Sequence, residues 1–274
     1  MTHPRGSNIG EHGLIETGLD EATLSAWGEV DLLAPASSGT RNTVWFALLN
    51  GARCVIRRST RSDAALNWEL DTIDAVRAAG LGAPKVVPAI DGRRSLSKIV
   101  VQDHIDGSPP TTTEDWHAVR RYLTELHSRV RPQRQRPGFA SAIDLIELER
   151  GGDVDLTWMP EGAVERCRAA WTRLDGWATA LIHGDPSRHN ILITDHGVVL
   201  IDWDEARVDV PLFDLAALPH EVSPLDDTER WIASQAASAW EAAVSWHLEP
   251  SYAQRRLDEV TRGGPRHESV PVSR

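Results

Sequence analysis

LIHGDPSRHNILITDHGVVLIDWD, residues 181–204, is the most informative stretch of the chain. It predicts a buried strand whose end delivers Asp185 into a loop, followed by a short apolar hairpin whose return strand ends on Asp202. Asn190 stands at the start of that hairpin. Because the hairpin is short, the start of one strand and the end of the other lie side by side. Two carboxylates and one amide are therefore expected to converge in a small volume.

This set of side chains is suited to phosphoryl transfer. Asp185 can orient and deprotonate an acceptor hydroxyl, while Asn190 and Asp202 can hold Mg²⁺ against the phosphates. Protein kinases place an Asp, an Asn five residues later and a further Asp at a strand end in the same order. A metal hydrolase is the alternative, with His183, Asp185 and His189 as zinc or iron ligands. That set lacks a further His or Glu partner at helical spacing.

The run H-G-D-x-x-x-x-N, the following I-D-W-D and the later D-L-A that begins at Asp214 resemble the aminoglycoside phosphotransferase and choline kinase family. The resemblance implies a two-lobed, protein-kinase-like α+β fold. An N-terminal antiparallel sheet with one helix would precede a mostly helical C-terminal lobe. The resemblance also implies that Asp185 is the catalytic base and that Asn190 and Asp202 are metal ligands. It gives His183 a structural role and makes Asp214 a support of the catalytic loop.

The chain is expected to divide at the DGSPP linker that begins at residue 106. A nucleotide-binding lobe occupies 1–105, a catalytic and substrate-binding lobe 106–262, a loose arm 1–18 and a disordered tail 263–274. Strands are predicted at 30–36, 43–49, 53–58, 85–90 and 97–104, with the hairpin signal Asn50-Gly51 between the second and third. Helices are predicted at 62–79, 113–130, 141–150, 163–177, 211–218, 226–247 and 251–262. His127, on the second of these helices, is interpreted as a packing or surface residue.

Residues 54–57, CVIR, occupy the place of the V-A-I-K strand of protein kinases, so Arg57 stands where a lysine is usual. Glu69, in the helix predicted to follow, is its natural partner. Arginine keeps the charge and can fork onto phosphate, but it is longer and planar. Because arginine stands in place of the usual lysine, a non-catalytic relative that binds nucleotide is a further alternative for this chain.

The remaining nucleotide contacts are predicted in two further segments. The loop 37–42, SSGTRN, joins the first two strands, and Ser38 there can offer a hydroxyl to a phosphate. By the family resemblance, Asp103 and Ile105 present backbone groups to the adenine. The resemblance implies ATP as the nucleotide, with GTP possible, and the residues themselves do not decide between the two.

Charge and composition limit the partners. The 274 residues include 40 acidic and 29 basic side chains, a net charge of −11, which disfavours nucleic acid and is compatible with a cationic small molecule. No apolar run approaches the roughly 20 residues of a membrane helix, and no secretory signal is recognised. With two cysteines, a cytoplasmic location is expected. The sequence does not give the oligomeric state.

Acidic residues just past the metal aspartate are candidate contacts of the acceptor, namely Asp204, Glu205 and Asp209. They would suit an aminoglycoside or a basic cyclic peptide of the tuberactinomycin kind, and the activity would then give antibiotic resistance. The plainer interpretation is that these acidic residues lie on solvent-exposed helix faces and contact no substrate. A metabolic kinase of choline, homoserine or a sugar is the other enzymatic alternative.

Overall fold

The structure, a computed structural model, describes residues 19–36, 42–130 and 134–260. The predicted phosphate-loop residue Ser38, the arm 1–18 and the tail 263–274 lie outside these ranges. In chain order the strands are β1 (Val30–Pro35), β2 (Thr43–Leu49), β3 (Ala52–Arg58), β4 (Val86–Val87), β5 (Ile99–Asp103), β6 (Arg150–Gly151), β7 (Val154–Asp155), β8 (Ala180–Ile182), β9 (Ile191–Thr194), β10 (Gly197–Leu200) and β11 (Arg207–Asp209). The α-helices are α1 (Glu21–Leu24), α2 (Asp63–Ala78), α3 (Thr113–Arg129), α4 (Glu161–Trp171), α5 (Leu212–Ala216), α6 (Asp227–Ser245) and α7 (Pro250–Glu259).

The chain divides into two units. Among the described residues, one unit comprises those up to Pro109 together with Ile191–Ile201, and the other comprises those from Pro110 to Asn190 and from Asp202 to Val260. The hairpin β9–β10 joins the first unit because Val199 bridges to Gly82 and Ile193 bridges to Ser108. The sequence interpretation, which divides the chain once at residue 106, does not anticipate this return. Among the described residues, no helix is both long and apolar enough to cross a bilayer.

The first unit carries the predicted antiparallel sheet, in the order β1–β2–β3–β5–β4. Alternation along the strands turns Trp45, Cys54 and Ile56 toward a core that also contains Trp27. Asn50-Gly51 joins β2 to β3, as predicted. The strand expected at 85–90 is confined to β4, since Pro88 has no N–H to continue the ladder.

The second unit is mainly helical, and its core includes Trp171, Phe213 and Trp240. Helix α3 begins with the reciprocal capping of Thr112 and Asp115. Strand β11 pairs antiparallel with β8. Together with the sheet of the first unit, these helices confirm the predicted α+β, protein-kinase-like fold class.

The helix predicted at 141–150 is wrong. Ser141 and Asp144 bond reciprocally, as at a helix start, but only one 3₁₀ turn follows, at Asp144–Ile146. A Cβ at Gly151 would lie 2.3 Å from the Cβ of Ala140, so the chain can make this close approach only through a glycine. Residues 150–155 accordingly form the hairpin β6–β7 instead of a further helical turn.

Candidate active site

Asp185 lies in the loop between β8 and β9, and Asn190 holds its carboxylate. The Asn190 side-chain nitrogen Nδ2 donates to Asp185 Oδ2 at 2.9 Å and to the Asp185 carbonyl oxygen at 3.0 Å. The 3₁₀ turn Arg188–Asn190 brings the amide back over the loop. With Nδ2 engaged in these two bonds, the Asn190 oxygen Oδ1 is the side-chain atom oriented to accept from a cation or a donor.

Asp214 of α5 holds the start of the same loop. Its Oδ2 accepts from the backbone N–H of His183 at 2.8 Å, and its Oδ1 accepts from that of Gly184 at 2.9 Å. The ring nitrogen Nε2 of His127, on α3, lies 2.9 Å from Oδ2. Burial opposes ionisation of Asp214, but the bonds from His127 and His183 outweigh it and lower its pKa. No local pattern in the sequence indicates this role of His127, because its partner lies 87 positions away.

The loop packs against the turn that follows Asp202. The buried ring of His183 meets the Trp203 ring edge-on, with centroids 4.8 Å apart. Gly184 has φ 87°, and a Cβ there would lie 2.4 Å from the Glu205 carbonyl oxygen. This contact requires glycine at 184. The packing gives His183 a structural position, and no group of three His, Cys, Asp or Glu side chains in the described ranges is arranged as a metal site.

Asp202 has left-handed backbone angles, with φ 59° and ψ 70°. For a residue other than glycine this costs roughly 1–3 kcal/mol and is typical of functional sites. Its side chain is exposed. Desolvation by surrounding protein raises the pKa of the exposed Asp185, and the carboxylate of Asp202 adds to this against the influence of His183. The carboxylate of Asp202 and the side-chain oxygen of Asn190 are oxygen donors of the kind that Mg²⁺ accepts.

Two of the three predicted acceptor contacts are buried, and the third is partly exposed. Asp209 is fully buried, 2.9 Å from Arg207 Nε, and it accepts from the backbone N–H of Val210 and Ala142. This corrects the prediction for Asp209, which is an internal partner of Arg207. Asp204 is also buried, so its carboxylate is not presented to an acceptor, whereas Glu205 is partly exposed. The correction for Asp209 arises because β11 pairs with β8 and buries the Asp209 side chain.

The first unit brings together the cation and the glutamate predicted for nucleotide binding. Arg57 of β3 forms an ion pair with Glu69 of α2, and both side chains are buried. Asp103, at the end of β5, is tied to Lys85 through its backbone N–H (3.0 Å) and through Oδ1 (2.5 Å). Ile105 is partly exposed just beyond it.

The sheet with one helix, the helical unit and the loop that carries Asp185 and Asn190 together define a kinase-like class of protein. The chain belongs to the phosphotransferase enzyme family (APH), whose sequence model matches residues 33–259. No curated protein sequence matches the chain.

Three solved structures illustrate the likeness in fold. Choline kinase LicA from Streptococcus pneumoniae superposes with a TM-score of 0.62 at 14% identity, over 88% of this chain and 95% of that one. A thermostable mutant of aminoglycoside phosphotransferase APH(4)-Ia, in ternary complex with AMP-PNP and hygromycin B, gives 0.62 at 15% identity, over 88% and 96%. Amicoumacin kinase hAmiN, in complex with AMP-PNP, Ca²⁺ and Ami, gives 0.58 at 13% identity, over 90% and 96%.

Proposed function

We propose that this phosphotransferase moves the γ-phosphate of ATP, with Mg²⁺, to a hydroxyl of a small cationic antibiotic in the cytoplasm and so gives resistance. The observation that carries the proposal is the restraint of Asp185, whose carboxylate is bonded by Asn190. The loop on which Asp185 lies is in turn bonded by Asp214. A fixed carboxylate at an exposed loop is what a general base for an incoming hydroxyl needs.

Asp185 is proposed to orient the acceptor hydroxyl and take its proton. Its fixed orientation matters because proton abstraction requires the carboxylate oxygen within hydrogen-bond reach of the hydroxyl. Asn190 Oδ1 and the exposed carboxylate of Asp202 are proposed to bind Mg²⁺. A metal ion held by these two residues would supply positive charge to the phosphates.

The nucleotide is proposed to be held by residues of the first unit. Arg57 would face phosphate oxygens from its fixed pairing with Glu69, and Ser38 would add a hydroxyl. The carbonyl of Asp103 and the backbone of Ile105 would meet the base. AMP-PNP in the structures of APH(4)-Ia and hAmiN supports an adenine nucleotide, and GTP is the alternative.

The cationic acceptor is inferred from the net charge of −11 and from the partly exposed Glu205. Hygromycin B and Ami, bound in two of the similar structures, support an antibiotic. Choline kinase LicA supports the second candidate, a metabolic kinase that acts on choline, homoserine or a sugar.

The test is a panel of aminoglycosides, basic cyclic peptides and small metabolic alcohols, incubated with ATP and Mg²⁺ and analysed by mass spectrometry. We expect the mass of one phosphate group to be added to at least one cationic antibiotic, and Asp185→Asn to abolish this addition. Phosphorylation of the metabolic alcohols alone would establish the second candidate. ATP binding with no phosphorylated acceptor would instead favour the non-catalytic relative that Arg57 leaves open.

A further inference from the structure

The turn that follows Asp202 is held by a buried arginine from a distant part of the chain. Arg136 is 1% exposed. Its Nη1 donates to the carbonyl oxygens of Asp204 at 2.7 Å, Ala206 at 3.2 Å and Trp203 at 3.4 Å. One guanidinium nitrogen therefore contacts the carbonyls of the first two residues of the 3₁₀ turn Trp203–Glu205 and that of Ala206 just after it.

Arg136 is itself fixed on two sides. Its guanidinium carbon lies 4.4 Å from the centre of the Phe139 ring. Gln135, beside it, donates from Nε2 to the Val208 carbonyl oxygen at 2.7 Å and accepts from the Val208 N–H at 3.0 Å. Its amide oxygen also accepts from the backbone N–H of Arg136 at 2.9 Å. Residues 135–139 thus form a brace along the segment that runs from the turn into β11.

These bonds hold the chain next to Asp202, whose backbone conformation is strained. The left-handed conformation of Asp202 persists only if its surroundings fix the chain on at least one side, and Arg136 binds the residues immediately after it. The same turn abuts the catalytic loop, through the Glu205 carbonyl against Gly184. Arg136 therefore fixes the turn whose start carries Asp202 and whose end abuts the loop of Asp185.

We propose that Arg136 is a positioning residue for Asp202, one that sets the affinity for the divalent cation without touching the cation or the nucleotide. The inference rests on the metal role of Asp202 in the proposed function. Residues that orient a ligand from outside the coordination shell typically change metal affinity by roughly 10- to 100-fold when they are replaced. Arg207 also donates to the Glu205 carbonyl, at 3.3 Å, but it pairs with Asp209 and packs on Trp240, so its replacement would disturb the core.

The test compares Arg136→Lys with a matched control. Lysine keeps the charge, but its shorter side chain and compact ammonium do not reproduce both the planar stacking on Phe139 and the position of Nη1 among the three carbonyls. Arg166→Lys is the control, because Arg166 also donates to two backbone carbonyls, those of Leu257 at 2.5 Å and Val260 at 2.9 Å, at the end of α7. ATP binding is measured by calorimetry at increasing Mg²⁺, and Mn²⁺ binding with ATP by electron paramagnetic resonance. Thermal unfolding is recorded for each protein.

We expect Arg136→Lys to raise the Mg²⁺ concentration for half-maximal ATP binding by roughly tenfold or more, and to weaken Mn²⁺ binding in parallel. Arg166→Lys should leave both within about twofold while lowering the melting temperature, since its site is independent of the turn. If Arg136→Lys lowers the melting temperature like the control but leaves the Mg²⁺ requirement unchanged, Arg136 is only structural and the inference is wrong.

Two further variants complete the design. If Arg136→Lys does not fold, Phe139→Leu is measured instead. Removal of the ring beneath the guanidinium should raise the Mg²⁺ requirement for ATP binding. An unchanged requirement would overturn the inference. Asp202→Asn tests the proposed function itself, because it should raise the requirement at least as much as Arg136→Lys. An unchanged requirement in Asp202→Asn would remove the metal role of Asp202, whatever Arg136 does.

Discussion

Asp214 and Asp185 belong to the same unit, and their carboxylates are in opposite situations. Asp214 is fully buried, yet its pKa is lowered, because the bonds from His127 and His183 outweigh burial. Asp185 is exposed, yet desolvation by its surroundings raises its pKa, and Asp202 adds to the effect. For Asp214 the donors and neighbouring charges outweigh burial, whereas for Asp185 desolvation is the largest influence on the pKa and His183 does not offset it. Asp214 bonds the start of the loop, whereas Asp185 is the carboxylate proposed to act as the base.

The largest expected effect separates these roles at Asp185. We expect Asp185→Asn to lower kcat by roughly 10²- to 10⁴-fold, because a general base contributes about that much. Its melting temperature should stay the same or rise, since the substitution removes a carboxylate that its surroundings destabilise. Steady-state turnover and thermal unfolding measure the two effects. Wild-type turnover in Asp185→Asn would exclude it as the base.

We expect the opposite for Asp214→Asn, whose main effect should be a loss of folding stability. The amide keeps one acceptor but presents a donor to the second N–H, and the charge opposite His127 is lost. Breaking a buried charged interaction of this kind costs about 3 kcal/mol of unfolding free energy. Denaturant unfolding measures it. The control is Asp195→Asn at an exposed turn, which should change the unfolding free energy by no more than about 0.5 kcal/mol. An equal, small change in both variants would refute the supporting role of Asp214.

The pH dependence of stability provides a sharper form of the same comparison. Asp214 has a folded pKa below its ordinary 3.8, so its contribution is complete above that value and is lost as the pH falls through the folded pKa. The groups that face it are His127 and Tyr122 of α3 and His183 of the loop. The difference in unfolding free energy between wild type and Asp214→Asn should therefore shrink as the pH is lowered below about 4. A difference that grows on acidification would contradict the lowered pKa.

Local signals in the sequence predicted much of this molecule. Asn50-Gly51 and the alternating apolar residues predicted the hairpin β2–β3, because turn chemistry and strand period are local properties. The spacing of Asp185 and Asn190 predicted their proximity for the same reason.

Contacts between distant segments were not predictable in this way. Arg136 stands in an arginine-rich stretch, and its partners lie 67 to 70 positions further along. His127 was interpreted as a packing or surface residue, and Asp209 as an acceptor contact. Only tertiary pairing shows that His127 meets Asp214 and that Asp209 is enclosed with Arg207. Residue type specified the possible chemistry of these side chains, and burial, which depends on the whole fold, decided between the alternatives.

The smallest expected effect concerns Glu205, the partly exposed member of the three predicted acceptor contacts. Glu205→Gln should raise the KM of a cationic acceptor by roughly two- to fivefold, in line with the modest strength of an exposed ion pair, and leave kcat unchanged. A neutral acceptor should be unaffected. Equal KM changes for cationic and neutral acceptors would show that Glu205 does not select by charge.

The distinction between a base and a metal ligand is tested most directly by ATP affinity at the Mg²⁺ concentration that gives half-maximal ATP binding in the wild type, measured by calorimetry on Asp185→Asn and Asp202→Asn side by side. A base acts in the transition state, so Asp185→Asn should bind ATP within about twofold of wild type. Asp202→Asn should bind it clearly more weakly. If Asp185→Asn instead loses ATP affinity to the same extent as Asp202→Asn, Asp185 belongs to the metal site and is not the base.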